Sequence, residues 1–136
     1  MVAPAVLPHV DAVAAALTAA GLTVYLGGAP AGVSPTASAP YVVLYPDPGR
    51  AETASLADDR TNFSAVIQLT CVGLTAEQVM SVSDRAMAAL SVVLAVAGRA
   101  SWKPESLDGQ PVQRDDDVVP PNYYAPSRYR LRSIPS

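Results

Sequence analysis

The stretch Asn62–Ala97, NFSAVIQLTCVGLTAEQVMSVSDRAMAALSVVLAVA, decides the fold. Its first eleven residues alternate. Phe63, Ala65, Ile67, Leu69 and Cys71 point one way, and Ser64, Val66, Gln68, Thr70 and Val72 point the other. An apolar row opposite a mixed row describes a strand in a sheet covered on one face and partly open on the other. Gly73 ends the strand. Thr75 and Gln78 then stand at the spacing of a capping box, so a helix is expected from Ala76. Its apolar stripe is Val79, Val82, Ala86, Ala89, Leu90, Val93 and Ala97, and Gly98 is expected to end it. The many alanines in this helix permit close approach to a sheet.

Working outward, Pro8 to Ala20 reads as a helix, with Val10, Val13, Ala14 and Leu17 on one face and Gly21 at its end. Leu22–Leu26 is a short strand, and Tyr41–Tyr45 is an apolar strand between Pro40 and Pro46. Two long loops intervene. The first, residues 27–40, is rich in Gly, Pro, Ser and Ala, and its length marks it as functional or mobile. The second, residues 46–61, carries Asp47, Arg50, Glu52, Asp58, Asp59 and Arg60. Beyond Gly98 the pattern weakens. Val112–Arg114 is a possible short strand, Asp115–Asn122 a turn, and Tyr123–Ile134 a long strand in which Pro126 suggests an edge or a bulge. The order α-β-β-β-α-β-β gives an α+β fold, with a mostly antiparallel sheet of four to five strands and two helices packed on one face. Residues 1–136 are expected to form a single domain.

Composition narrows the function. The chain has 136 residues, of which 50% are hydrophobic, but alanine inflates that figure because only 6% are aromatic. Charged residues make up 15%, below the roughly 25% of an average soluble domain, leaving few charges to keep a lone monomer soluble. A net charge of −3 disfavours a nucleic-acid binder that relies on bulk positive charge. One cysteine excludes an internal disulfide, and one histidine nearly exhausts the usual metal ligands. Met1–Pro8 lacks a basic n-region, and Val92–Ala97 is far shorter than a membrane span, so a soluble intracellular protein is expected.

The search for chemistry returns little. Cys71 and His9 are the obvious nucleophile and base, but Cys71 falls on an apolar strand face and His9 in a first helical turn, where partial exposure is expected. Gly27 and Gly32 have the outer spacing of a phosphate loop. Val33 stands where that motif requires lysine, and the single lysine is Lys103. Consecutive Asp115, Asp116 and Asp117 point in different directions and read as a solvated turn or as partners for an arginine on another chain. Arg128, Arg130 and Arg132 form one basic row on the last strand, which is incompatible with core. The row is a solvated face, a contact to an acidic row on another subunit, or a weak phosphate contact; the acidic loops at Asp58–Asp59 and Asp115–Asp117 are candidate partners. No cofactor is implied.

Four segments, VDAVAAALTAAGLTVYLGGAP (10–30), APYVVLYPDPG (39–49), DDRTNFSAVIQLTCVGLTAEQVMSVSDRAMAAL (58–90) and PVQRDDDVVPPNYYAPSRYRLRS (111–133), together resemble the tail terminator (tail-completion) proteins of long-tailed bacteriophages, especially of actinobacteria. The joint at Val72–Gln78 and the RDDD…YYA…YRL ending are the most characteristic parts. The long Pro-rich loop 27–40 departs from the pattern. The resemblance implies a non-enzymatic virion protein, assembled in the host cytoplasm as a homo-hexamer on the last ring of the tail tube protein. It would stop tube growth and present a surface to the head-to-tail connector or stopper protein. Double-stranded DNA would pass through the lumen without specific binding, and no membrane is involved. Under this reading Arg128, Arg130, Arg132 and Asp115–Asp117 serve the subunit interface. Asp47, Arg50, Glu52, Asp58, Asp59 and Arg60 then belong to loops touching tube or neck. The competing readings are another neck or tail component, and a small ligand-binding or enzymatic domain using loop 27–40.

Overall fold

A computed structural model describes residues 4–36, 39–52, 62–118 and 120–136, and for Glu52 the backbone alone. The α+β fold expected from the sequence is present, with two helices on one face of a mostly antiparallel sheet. Among the described residues the sheet has eight strands rather than four to five. Asp58, Asp59 and Arg60 lie outside the described residues.

Helix α1 (Val6–Ala19) buries His9, Val10, Val13 and Leu17 and leads through Gly21, at φ 84°, into β1 (Thr23–Leu26). Strand β1 runs parallel to β2 (Tyr41–Pro46), and the remaining pairs are antiparallel. β2 pairs with β4 (Asn62–Gly73), which pairs along its length with β8 (Asn122–Pro135). Within the segment expected to be a loop, β3 (Arg50–Glu52) adds to β4 beyond the end of β2. Three short strands, β5 (Arg99–Ser101), β6 (Glu105–Gly109) and β7 (Gln113–Asp115), succeed one another along the far edge of β8.

The alternation read in β4 is observed. Phe63, Ala65, Ile67, Leu69 and Cys71 are all buried on the helix side. There Ile67, Leu69 and Cys71 meet Val13 and Leu17 of α1, Val79, Val82 and Ala86 of α2 (Ala76–Ala89), and Tyr129 and Leu131 of β8. At the start of α2, Thr75 Oγ1 accepts the Gln78 N–H at 3.1 Å, while Gln78 Oε1 accepts the Leu74 N–H at 2.7 Å. That closes a capping box shifted by one residue on its return side.

Helix α2 ends at Ala89, eight residues short of the expected Ala97. Leu90 caps it, and Ser91 turns its hydroxyl back onto the Met87 carbonyl at 2.6 Å. The physical reason is a change of period. Leu94 and Val96 are buried while Val93, Ala95 and Ala97 are exposed, an every-second-residue pattern that a helix cannot produce. Three β-branched valines in this run favour extended chain. Gly98, at φ 71°, makes the turn into β5 rather than ending the helix.

Pro126 lies on an interior strand, not an edge. Its carbonyl accepts the Gln110 N–H at 2.9 Å, so its missing N–H would point to the same side, where β6 has just ended and β7 has not begun. The interruption in the neighbouring row is what makes proline tolerable there.

Leu69→Ala, at a fully buried position, is expected to lower unfolding stability by roughly 2–5 kcal/mol, whereas Met80→Ala on the exposed side of α2 should change it by less than about 0.5 kcal/mol. Urea unfolding monitored by circular dichroism measures both.

Candidate functional site

The period of two puts the second rows of β2, β4 and β8 on the face without helices. This open face has two unlike ends. At one end Tyr41, Val43 and Val72 are buried, with Tyr25, Tyr124, Ala29 and Val33 packed against them. Part of the long loop, expected to be functional or mobile, is thus a cover for the sheet. Its Thr36 carbonyl accepts a bond from Gln78 Nε2 at 2.9 Å, which fastens the loop to α2. Tyr25 and Tyr41 meet edge to face at 5.4 Å. Burial, and secondarily the neighbouring Tyr25 and Tyr45 hydroxyls, raise the Tyr41 pKa above the ordinary value.

The other end is basic. Arg128, Arg130 and Arg132 project in a row from β8, opposite Gln68, Val66 and Ser64 of β4. Within the chain the row meets β6. Arg128 holds Asp108 through two parallel bonds of 2.8 Å, and these hold the Asp108 carboxyl below its ordinary range. Arg130 and Arg132 approach one carboxylate oxygen of Glu105 at 3.6 and 3.7 Å. Sequence reading missed both acids because their spacing of three is wrong for a shared strand face. The irregularity between Ser106 and Asp108 supplies the extra residue that brings them to the same side. These pairs are at least one-third exposed and contribute little to stability. Their effect is on charge: two guanidinium groups share Glu105.

Arg50, on β3 opposite Ser64, joins Arg130, Arg132, Ser64 and Trp102 in lining a cleft of about 480 Å³. Trp102 is 54% exposed and was not singled out from the sequence. Its place follows from β5, since the Trp102 N–H donates to the Arg132 carbonyl at 3.1 Å. Asp47 braces a turn: its carboxylate accepts the Gly49 N–H at 2.7 Å and the Val66 N–H at 3.3 Å. Gly49 is required there, because its φ is 71° and a Cβ would come within 2.7 Å of the Phe63 ring.

The aspartate triplet makes a local turn. Asp115 Oδ1 accepts the Asp117 N–H at 3.0 Å, and Asp116 pairs with Arg114. Among the described residues no hydrogen bond or ion pair joins the triplet to the arginine row, and no group of three His, Cys, Asp or Glu is placed to hold a metal ion.

Nor do His9 and Cys71 form a catalytic pair. His9 stacks on Phe63 with ring centroids 4.0 Å apart, eight residues along β4 from Cys71, or about 26 Å at the strand rise. Contrary to the partial exposure expected, His9 is 4% exposed. Its Nδ1 lies 2.7 Å from the Ala5 carbonyl and its Nε2 lies 2.6 Å from Ser133 Oγ. The neutral ring donating from Nδ1 and accepting at Nε2 satisfies both partners. Burial pushes the thiol of Cys71 up to about 12, so the reactive thiolate is essentially absent near neutral pH. Among the described residues, no helix is long and apolar enough to cross a membrane.

No protein-family model and no curated protein matches the chain. Solved structures do. A chain from the virion of a native gene transfer agent (GTA) particle is similar at 15% identity and a TM-score of 0.60, over 90% of this chain and 84% of that one. A second solved chain, whose name describes no function, is similar at 18% identity and a TM-score of 0.52, over 90% of this chain and 94% of that one. Likeness at these identities establishes a shared fold.

Two outcomes follow from the buried groups. Burial and Arg99 lower the His9 pKa, with the Ala5 bond opposing them, so the folded state resists protonation. Stability contributed by neutral His9 is present above the unfolded value of 6.5 and is lost as pH falls through and below it. Unfolding measured from pH 7 down to about pH 5 should show this loss, and His9→Gln should be less stable at pH 7 but flatten the slope. A colourless-to-coloured thiol reagent at pH 8 should leave Cys71 unmodified in the native protein and modify it fully in urea.

Proposed function

We propose that the chain is a non-enzymatic structural protein of a phage-like virion, and specifically a tail terminator: a hexameric ring that caps the tail tube, ends its growth and joins it to the head-side connector. The observation that carries this reading is the fold likeness, over nine-tenths of the chain, to a component of a gene transfer agent virion. The sequence resemblance to tail terminators supplies the finer assignment, including the tail tube protein and the connector or stopper as partners and a virion location at the neck.

The physical character of the molecule supports the same reading. Among the described residues no helix covers one face of the sheet, and Tyr45 and Trp102 on that side stand 44% and 54% exposed. Large half-exposed aromatics on a chain with few charges suit a surface that neighbours complete. A cyclic ring requires two different patches per subunit, one meeting the other on the next copy, and the basic row of β8 fits one of them. A lumen that only passes DNA needs no specific site for it.

The alternative neck or tail assignments, a head-to-tail connector subunit or a tube protein, differ in position and copy number. Electron microscopy of tube ends incubated with the purified chain, combined with native mass measurement, distinguishes them. The tail terminator reading expects six copies in one ring at the tube end. Stacked rings would assign the chain to the tube, and a strict monomer in the presence of tubes would refute a ring role altogether.

A further inference from the structure

The outer side of α2 carries a second unusual surface. Glu77, Met80, Asp84 and Met87 follow one another at spacings of three, four and three, which places them in one stripe facing away from the core. Met80 and Met87 are 50% and 49% exposed. Glu77 and Asp84 make no ion pair or hydrogen bond among the described residues, although Arg85 is adjacent in sequence. Arg85 instead donates to the Ala20 carbonyl at 2.8 Å at the end of α1. The stripe therefore offers two uncompensated carboxylates and two flexible apolar side chains on a rigid helix.

The arginine end of the open sheet face offers the complement. Arg130 and Arg132 share one carboxylate, and Trp102 stands beside them at the rim of the cleft. Glu77 and Asp84 lie about 10.5 Å apart along the helix axis. Arg128 and Arg132 span about 13 Å along the strand, so long guanidinium arms reach both acids. A sheet-to-sheet contact centred on the row would set arginine against arginine, and a helix-to-helix contact centred on the stripe would set acid against acid. Sheet against helix puts opposite signs together and gives the methionines an aromatic neighbour, a favourable sulfur contact.

We infer that the acid and methionine stripe of α2 in one copy docks on the arginine and Trp102 end of the open sheet face in a second copy of this chain. This inference rests on the ring reading and deepens it by naming both surfaces. The contact is head-to-tail: the two surfaces lie on opposite faces of one subunit, so every copy offers a donor and an acceptor, as a closed ring requires. The acids that meet the arginine row belong to the helix layer, while the Asp115–Asp117 turn keeps its own bonds.

A charge exchange tests it. Asp84→Arg and Arg130→Glu, made separately in the full chain, should each weaken self-assembly about tenfold or more, and the two changes in one chain should recover most of that loss. Assembly is read by sedimentation with and without tail tubes, and an unchanged thermal unfolding midpoint shows that each variant is folded. Independently, mixing Met80→Cys chains with Trp102→Cys chains under oxidation should give a disulfide-linked pair between copies, with buried Cys71 not taking part. Single variants that assemble like the wild type, or a double variant as defective as the singles, would overturn the inference and leave the ring reading standing. Wild-type chain that stays monomeric even on tubes would overturn both. Intact assembly with lost retention of duplex DNA by Arg130→Glu would assign the row to phosphate and also overturn it.

Discussion

The pairing of β4 with β8, unbroken from Phe63 opposite Ser133 to Gly73 opposite Tyr123, is the constraint on which the rest of the structure depends. The register determines which rows point toward the helices. Ile67 with Tyr129 and Ala65 with Leu131 meet the core, so Val66 with Arg130 and Ser64 with Arg132 must meet the other side. A slip of one residue would bury three guanidinium groups under α1 and α2, at a cost no local contact in this core could offset. The same register delivers Ser133 to His9 and aligns β8 to receive β5, β6 and β7 in succession.

The polarity of the two faces follows from this arrangement. One face is closed by helices whose alanines allow close approach. Among the described residues, the other is closed at its tyrosine end, by the loop that follows β1. Its remaining portion presents the row Arg128, Arg130 and Arg132, with Asp108 and Glu105 paired to it and Trp102 at the rim of the cleft. The thiol and the imidazole are both tied to the fold: burial pushes Cys71 up to about 12, and His9 is committed to structural bonds at both nitrogens.

Much of this was legible in the sequence, and the rest was hidden for identifiable reasons. β2, β4 and β8 are long, apolar on one face and bounded by Gly or Pro, and their alternation is local information. The capping box at Thr75 is local too. β3, β5 and β6 are short and polar, and they exist because a long neighbour offers them a ladder. Nothing within Glu105–Gly109 alone announces a strand, and its irregular spacing disguised the acids that meet the arginine row. The end of α2 was misread because alanine and valine fit a helical and an extended pattern equally well between Ser91 and Ala97. Burial of His9 depends on Ser133 and Phe63, far away in sequence, and no local window contains them. For the candidate site, the arginine row was visible from its spacing of two, whereas Trp102 entered only through the pairing of β5.

The central claim is that the open sheet face and the outer stripe of α2 are both buried by association. Hydroxyl-radical footprinting with mass spectrometry reads it directly, because tryptophan and methionine report solvent access in the isolated chain and in the chain incubated with tail tubes. The account predicts that Trp102, Met80 and Met87 become protected together on assembly, while Val92 and Val93 near the end of α2 keep their reactivity. Assembly that leaves Trp102 and both methionines as reactive as in the free chain would contradict it.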